Sequence, residues 1–83
     1  MNIIQNEMEN EIVYIISTIS EINTTEIKYE VDLRDALGID SMMGLEIMYA
    51  VEKKFKIHLK EEDLLKMRSV ASICALVTKH LHK

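Results

Sequence analysis

Few side chains in this sequence could do chemistry, and their spacing excludes more than it permits. Cys74 is the one cysteine, so an intramolecular disulfide is excluded. His80 and His82 stand two apart, and on a helix such residues point to different sides, which argues against a metal pair. No glycine-rich loop cradles a phosphate, and His58 has no serine or cysteine partner near it in sequence. The segment Leu37-Gly38-Ile39-Asp40-Ser41-Met42 is different. Asp and Ser are both good N-cap residues, so the pair marks a helix start. A hydroxyl there sits beside free backbone N–H groups and the positive end of the helix dipole. An anion on Ser41, a phosphodiester for example, is electrostatically comfortable in that place. The same pair also reads as an ordinary helix cap.

The elements that must hold this serine are helical. Only two glycines and no proline occur, too few turn residues for a small strand-rich domain. Met8, Ile12, Ile15, Ile16 and Ile19 follow the spacing of one apolar helix face, predicting a first helix over residues 5–21. Residues 22–40 read as a long connection that Val31, Leu33, Leu37 and Ile39 can pin down, with a short helical turn at 33–37 and Gly38 at its exit. A second helix is expected from Asp40-Ser41 to residue 55. Ile47, Val51 and Phe55 form its stripe, widened by Leu45 and Met48, and Phe55 is expected to anchor the core. Gly44 costs that helix about 1 kcal/mol relative to Ala, a cost consistent with close approach by something else. A short third helix over 61–66 has Glu61, Glu62 and Asp63 where the dipole favours negative charge. Ser69 is the expected cap of a last helix through 81, with Val70, Ile73, Val77 and Leu81 on its apolar face and Lys79, His80 and Lys83 at its negative end. Cys74 lies beside that face and reads as a buried, inert thiol.

These 83 residues suffice for a single domain, 1–83. Fourteen acidic residues against ten basic ones give a net charge of −4, which disfavours a nucleic-acid binder and a helix-turn-helix regulator. No stretch has the length of a membrane span, and the N-terminus lacks the basic start and apolar run of a secretion signal; a cytoplasmic location is expected.

Asp40-Ser41-Met42 resembles the Asp-Ser-Leu motif of acyl carrier proteins, with Met in place of Leu. The run from Leu33 to Ser41 resembles the family's approach to its modified serine. Glu46, Val51-Glu52, Phe55, Leu59, Glu61, Glu62, Met67, Ser69 and Val70 continue the pattern. The resemblance implies an all-α fold: a small four-helix carrier-protein bundle of three main helices plus one short helix, with a long loop between helices 1 and 2. It implies that Ser41 accepts 4'-phosphopantetheine from coenzyme A through a phosphopantetheinyl transferase, which recognises Asp40 and Met42. The arm's thiol then carries acyl or aminoacyl groups as thioesters for loading and synthase enzymes. The chain is thus expected to be a carrier and not an enzyme, a monomer, with no metal, nucleic-acid or membrane partner. Helices two and three of such carriers can part to shelter a chain, and Met48, Leu64 and Met67 are candidates to line that space. Fatty acid carriers show several acids along the second helix. Here Met43 and Gly44 follow Met42, and only Glu46 and Glu52 remain, so a dedicated polyketide, peptide or specialised lipid pathway is favoured. Partner contact is expected at Met43, Gly44, Glu46 and Glu52, with Met43 the exposed member of the Met pair, because Met42 replaces the family's leucine. The rival expectation is a helical interaction or regulatory module of the same fold without an arm.

Overall fold

A computed structural model describes the backbone of residues 3–81 and the side chains of residues 7–81; His82 and Lys83 lie outside the described residues. Helix α1 spans Ile3–Ser20 and turns Met8, Ile12 and Ile16 into the core. It ends where Glu21 enters the left-handed region (φ 63°) and donates its amide to the Ser17 carbonyl at 2.8 Å. A 3-10 turn, Thr24–Glu26, follows, capped by the Asn23 side chain. Helix α2 spans Ser41–Phe55, α3 is the single turn Glu61–Leu64, and α4 spans Val70–Leu81. No strand occurs among the described residues. α1 packs on both α2 and α4, whereas α3 packs on α2.

The expected faces are present, with three corrections. The inward face of α2 is Ile47, Met48 and Val51, while Phe55 is only half-buried. Leu81, expected on the buried face of α4, is 50% exposed. Phe55 and Leu81 border the same open end of the bundle, so neither is enclosed on all sides. Met43 lies four residues before Ile47, on the same face, and packs partly against the core. Met42 points away and is 78% exposed, so the exposed member of the pair is Met42 and not Met43.

The connection between α1 and α2 is fastened to α4. The Leu33 amide donates to the Arg68 carbonyl at 2.8 Å, and the Ala71 amide donates to the Tyr29 carbonyl at 2.9 Å. Arg68 Nη2 reaches Asp32 Oδ2 at 2.8 Å. Ile27, Leu33 and Ile39 are buried. Ser69 caps α4 as expected, its Oγ accepting from the Ser72 amide at 3.1 Å, and Ser72 Oγ accepts in return from the amides of Arg68 and Ser69.

Candidate functional site

The approach to Ser41 is fixed on both sides. Gly38 takes the left-handed conformation (φ 69°) that ends the 33–37 turn, and its amide donates to the Arg34 carbonyl at 3.0 Å. Buried Ile39 then returns its amide to the Leu33 carbonyl at 2.9 Å. Asp40, in extended conformation, is the cap: its Oδ1 accepts from the Met43 amide at 2.9 Å and its carbonyl accepts from the Gly44 amide at 2.9 Å. Capping by Asp40 leaves Ser41 uninvolved. Ser41 is exposed, and its hydroxyl makes no hydrogen bond among the described residues. The amides of Ser41 and Met42 precede the first helical bond and have no partner among the described residues. Two free N–H groups and the positive pole of a 15-residue helix therefore surround an unbonded hydroxyl. That arrangement fits a phosphodiester on Ser41 Oγ. Among the described residues no imidazole, amine or carboxylate hydrogen-bonds that hydroxyl, so nothing there activates it as a nucleophile.

Beneath this start lies a cavity lined by Leu33, Ile39, Gly44, Ile47, Leu64 and Met67, with Arg34 and Asp40 at its edge. Its volume is about 10 Å³, roughly one water probe, so the space is closed. Leu64 and Met67 line it as expected; Met48 is buried elsewhere in the core.

Two of the expected partner contacts also touch the rest of the fold. A Cβ on Gly44 would stand 3.5 Å from Leu64 Cδ1, an ordinary contact, so Leu64 of α3 packs beside the half-buried Gly44. The side chain of Glu52 is only 20% exposed, and its Oε2 accepts from the Leu59 amide at 2.6 Å. Glu52 therefore ties down the α2–α3 connection. Glu46 is exposed, as a contact residue must be.

Electrostatic shifts lie away from Ser41. The Asp35 amide holds the Asp32 carboxyl below its ordinary value; burial opposes it, and the Arg68 guanidinium and the Arg34 amide add to the lowering. Burial, helped by nearby Glu9, pushes the Cys74 thiol up to about 11, consistent with an inert thiol. The Asp32–Arg68 clasp escaped sequence reading because its partners are 36 positions apart. Asp32 itself carried a local sign: an aspartate whose Oδ1 accepts from the amides two and three residues on, Arg34 and Asp35, is a turn cap.

Comparison with known proteins bears on the same region. The family model described as the phosphopantetheine attachment site matches residues 10–77. The chain is 38% identical over 73 residues to a non-reducing polyketide synthase of Emericella nidulans, covering 88% of this chain but only 3% of the synthase's length. It is 33% identical over 60 residues to the acyl carrier protein of Phytoplasma mali, covering 72% of this chain and 71% of that one. With the meromycolate extension acyl carrier protein of Mycobacterium tuberculosis the identity is 33% over 79 residues, 95% of this chain and 69% of the relative. The chain belongs to the acyl carrier protein family, whose members are non-catalytic carriers with a covalently attached 4'-phosphopantetheine, acted on by partner enzymes.

Proposed function

We propose that Ser41 is the attachment point of the 4'-phosphopantetheine arm, and that residues 1–83 act as one carrier domain in a dedicated polyketide, peptide or specialised lipid pathway. The observation that carries the attachment reading is the division of labour at the start of α2. Asp40 alone caps the helix, which leaves the Ser41 hydroxyl exposed and unbonded beside two free amides. A transferase would take the serine proton and join the serine oxygen to the pantetheine-side phosphorus of coenzyme A, breaking the pyrophosphate bond so that 3',5'-adenosine diphosphate leaves. The chain's own part is to present that oxygen, to hold the new phosphodiester against the Ser41 and Met42 amides, and to offer Met42 beside it for apolar contact. The arm supplies the thiol on which acyl or aminoacyl groups ride.

The pathway reading is supported by the exposed side of α2, where Met42, Glu46, Tyr49 and Lys53 stand instead of a run of acids. Two relatives named for polyketide synthesis and meromycolate extension agree with it. Partners are then a phosphopantetheinyl transferase and the enzymes that load and extend the cargo. Among the described residues no helix is long and apolar enough to cross a membrane. The reading places a monomer in the cytoplasm, where coenzyme A is available and Cys74 stays reduced.

Incubation with a broad-specificity transferase and coenzyme A, followed by intact-mass measurement, tests the assignment. The wild type should gain one arm and Ser41→Ala none. An arm on Ser41→Ala would refute the site, and no arm on the wild type would favour an interaction module without a prosthetic group.

A further inference from the structure

Among the described residues, Arg34 is the one basic residue lining the closed cavity under Ser41, where it stands at the edge with Asp40. The loop fixes its place. The Leu33 carbonyl, in the peptide unit that joins Leu33 to Arg34, accepts from the Ile39 amide, and the Arg34 carbonyl accepts from the Gly38 amide. These two bonds fold residues 34–38 back on themselves and bring Arg34 to the Ile39-Asp40 step that leads into α2.

The Arg34 side chain is left without a partner. Asp32 and Asp35 flank it in sequence, yet both turn to Arg68, at 2.8 and 3.5 Å. Asp40, the acid that shares the cavity edge, gives its Oδ1 to the Met43 amide. Arg34 is half-buried and makes no ion pair or side-chain hydrogen bond among the described residues; its bonds are those of its own amide and carbonyl. A guanidinium partly withdrawn from water carries an electrostatic cost that a nearby acid ordinarily offsets. Here the neighbouring acids are engaged elsewhere, so the fold keeps an unneutralised cation at the edge of the cavity beneath the serine.

Attachment of the arm would supply the missing charge. A phosphodiester on Ser41 places a negative charge on the residue after Asp40, and the two anions repel each other. The Ser41 and Met42 amides offset that repulsion with partial charges only. A guanidinium offers a full charge and a planar fork that matches two phosphate oxygens. We propose that Arg34 binds the phosphodiester of the arm, its guanidinium donating to the two unesterified oxygens while the Ser41 and Met42 amides hold them from the helix. The root of the arm is then clamped between the 33–39 loop and α2.

The proposal rests on the attachment reading above, and its test tells the two apart. The chain is loaded by a broad-specificity transferase with coenzyme A, checked by intact mass, and compared with the unloaded form by NMR of the arginine Nε–H groups. The Arg34 signal should shift on loading, while the Arg68 signal, already held by Asp32 and Asp35, should stay in place. Urea denaturation gives the size of the contact. Loading should raise the folding constant of the wild type about two- to fivefold more than that of Arg34→Gln, the range of a partly exposed ion pair. Arg34→Lys should keep part of the gain, because the charge remains and the fork is lost. Comparing the loaded and unloaded forms of one variant cancels what the substitution itself does to the fold. A loaded wild type with an unmoved Arg34 signal, or an equal gain in Arg34→Gln, would overturn the proposal and leave the attachment site standing. An arm on Ser41→Ala would overturn both readings.

Discussion

Replacing Glu52 by alanine should destabilise the fold, because this side chain is a strut. Its Oε2 accepts from the Leu59 amide at 2.6 Å, and its backbone carbonyl accepts from the amides of Lys56 and Ile57. Leu59 is 4% exposed, so its amide is held close to the core. Glu52→Ala keeps the backbone bonds and removes the side-chain acceptor. A buried donor left without a partner costs about 1–3 kcal/mol. The better helix propensity of Ala returns a few tenths. The net loss is about 1–2.5 kcal/mol, and a domain of this size loses about 4–8 °C per kcal/mol, so the melting temperature should fall by about 4–20 °C. Glu52→Gln keeps an acceptor without the charge and should lose less than half as much. Thermal denaturation at neutral pH gives the first number, and hydrogen exchange at the Leu59 amide, which should accelerate in Glu52→Ala, gives the second. A melting temperature within about 2 °C of wild type together with unchanged Leu59 exchange would refute the strut and return Glu52 to the partner surface.

Three further outcomes follow from packing and charge. Phe55→Ala should cost about 1.5–2.5 kcal/mol by urea denaturation, half the 3–5 of a fully enclosed phenylalanine, because Phe55 is half-buried at the open end of the bundle; a loss above that range would show it enclosed. Cys74 should react with an aromatic disulfide at pH 8 at least about a hundredfold more slowly in the native protein than in urea, the ratio of thiolate fractions for pKa values of about 11 and 9.0. Equal rates would place it at the surface. Asp32 has a depressed pKa in the folded state, so its clasp stabilises above the ordinary carboxylate value of 3.8 and is lost as pH falls below it. The stability lead of wild type over Asp32→Asn should therefore vanish on acidification, and a lead that persists at low pH would refute the ion-pair account.

The helices and the start of α2 were legible because their signals are local. Four-residue apolar spacing, an Asp-Ser pair and a Ser at position 69 each specify structure within a turn or two, and each stands where it was read. The orientation of the Met pair was also written locally. The Ile47–Val51–Phe55 stripe, carried one step back, lands on Met43; the family's leucine at position 42 was the poorer guide. What sequence could not show depends on which residues meet across the fold. Nothing in the series from Glu52 to Leu59 says that a carboxylate will turn inward to an amide seven positions on. Nothing near Gly44 says that Leu64 will pack beside it.

The fastening of the α1–α2 connection to α4 divides that segment into two parts with different tolerance for added length. Residues 23–26 close on themselves, the Asn23 side chain taking the Thr25 amide and its carbonyl taking the Glu26 amide, and all four are exposed. A residue inserted there enlarges a surface arc, and loop-closure entropy charges well under about 1 kcal/mol for that. An insertion between Leu33 and Ile39 is another matter. Both ends of that stretch are buried and joined by a backbone bond, and one end is bonded to Arg68, two residues before α4. An extra residue there would break the Ile39–Leu33 bond and displace Asp40, whose side chain caps α2 beside Ser41. The address of the serine is thus set from α4, at the far end of the chain, and the twenty residues between α1 and α2 act as a surveyed baseline only in their second half.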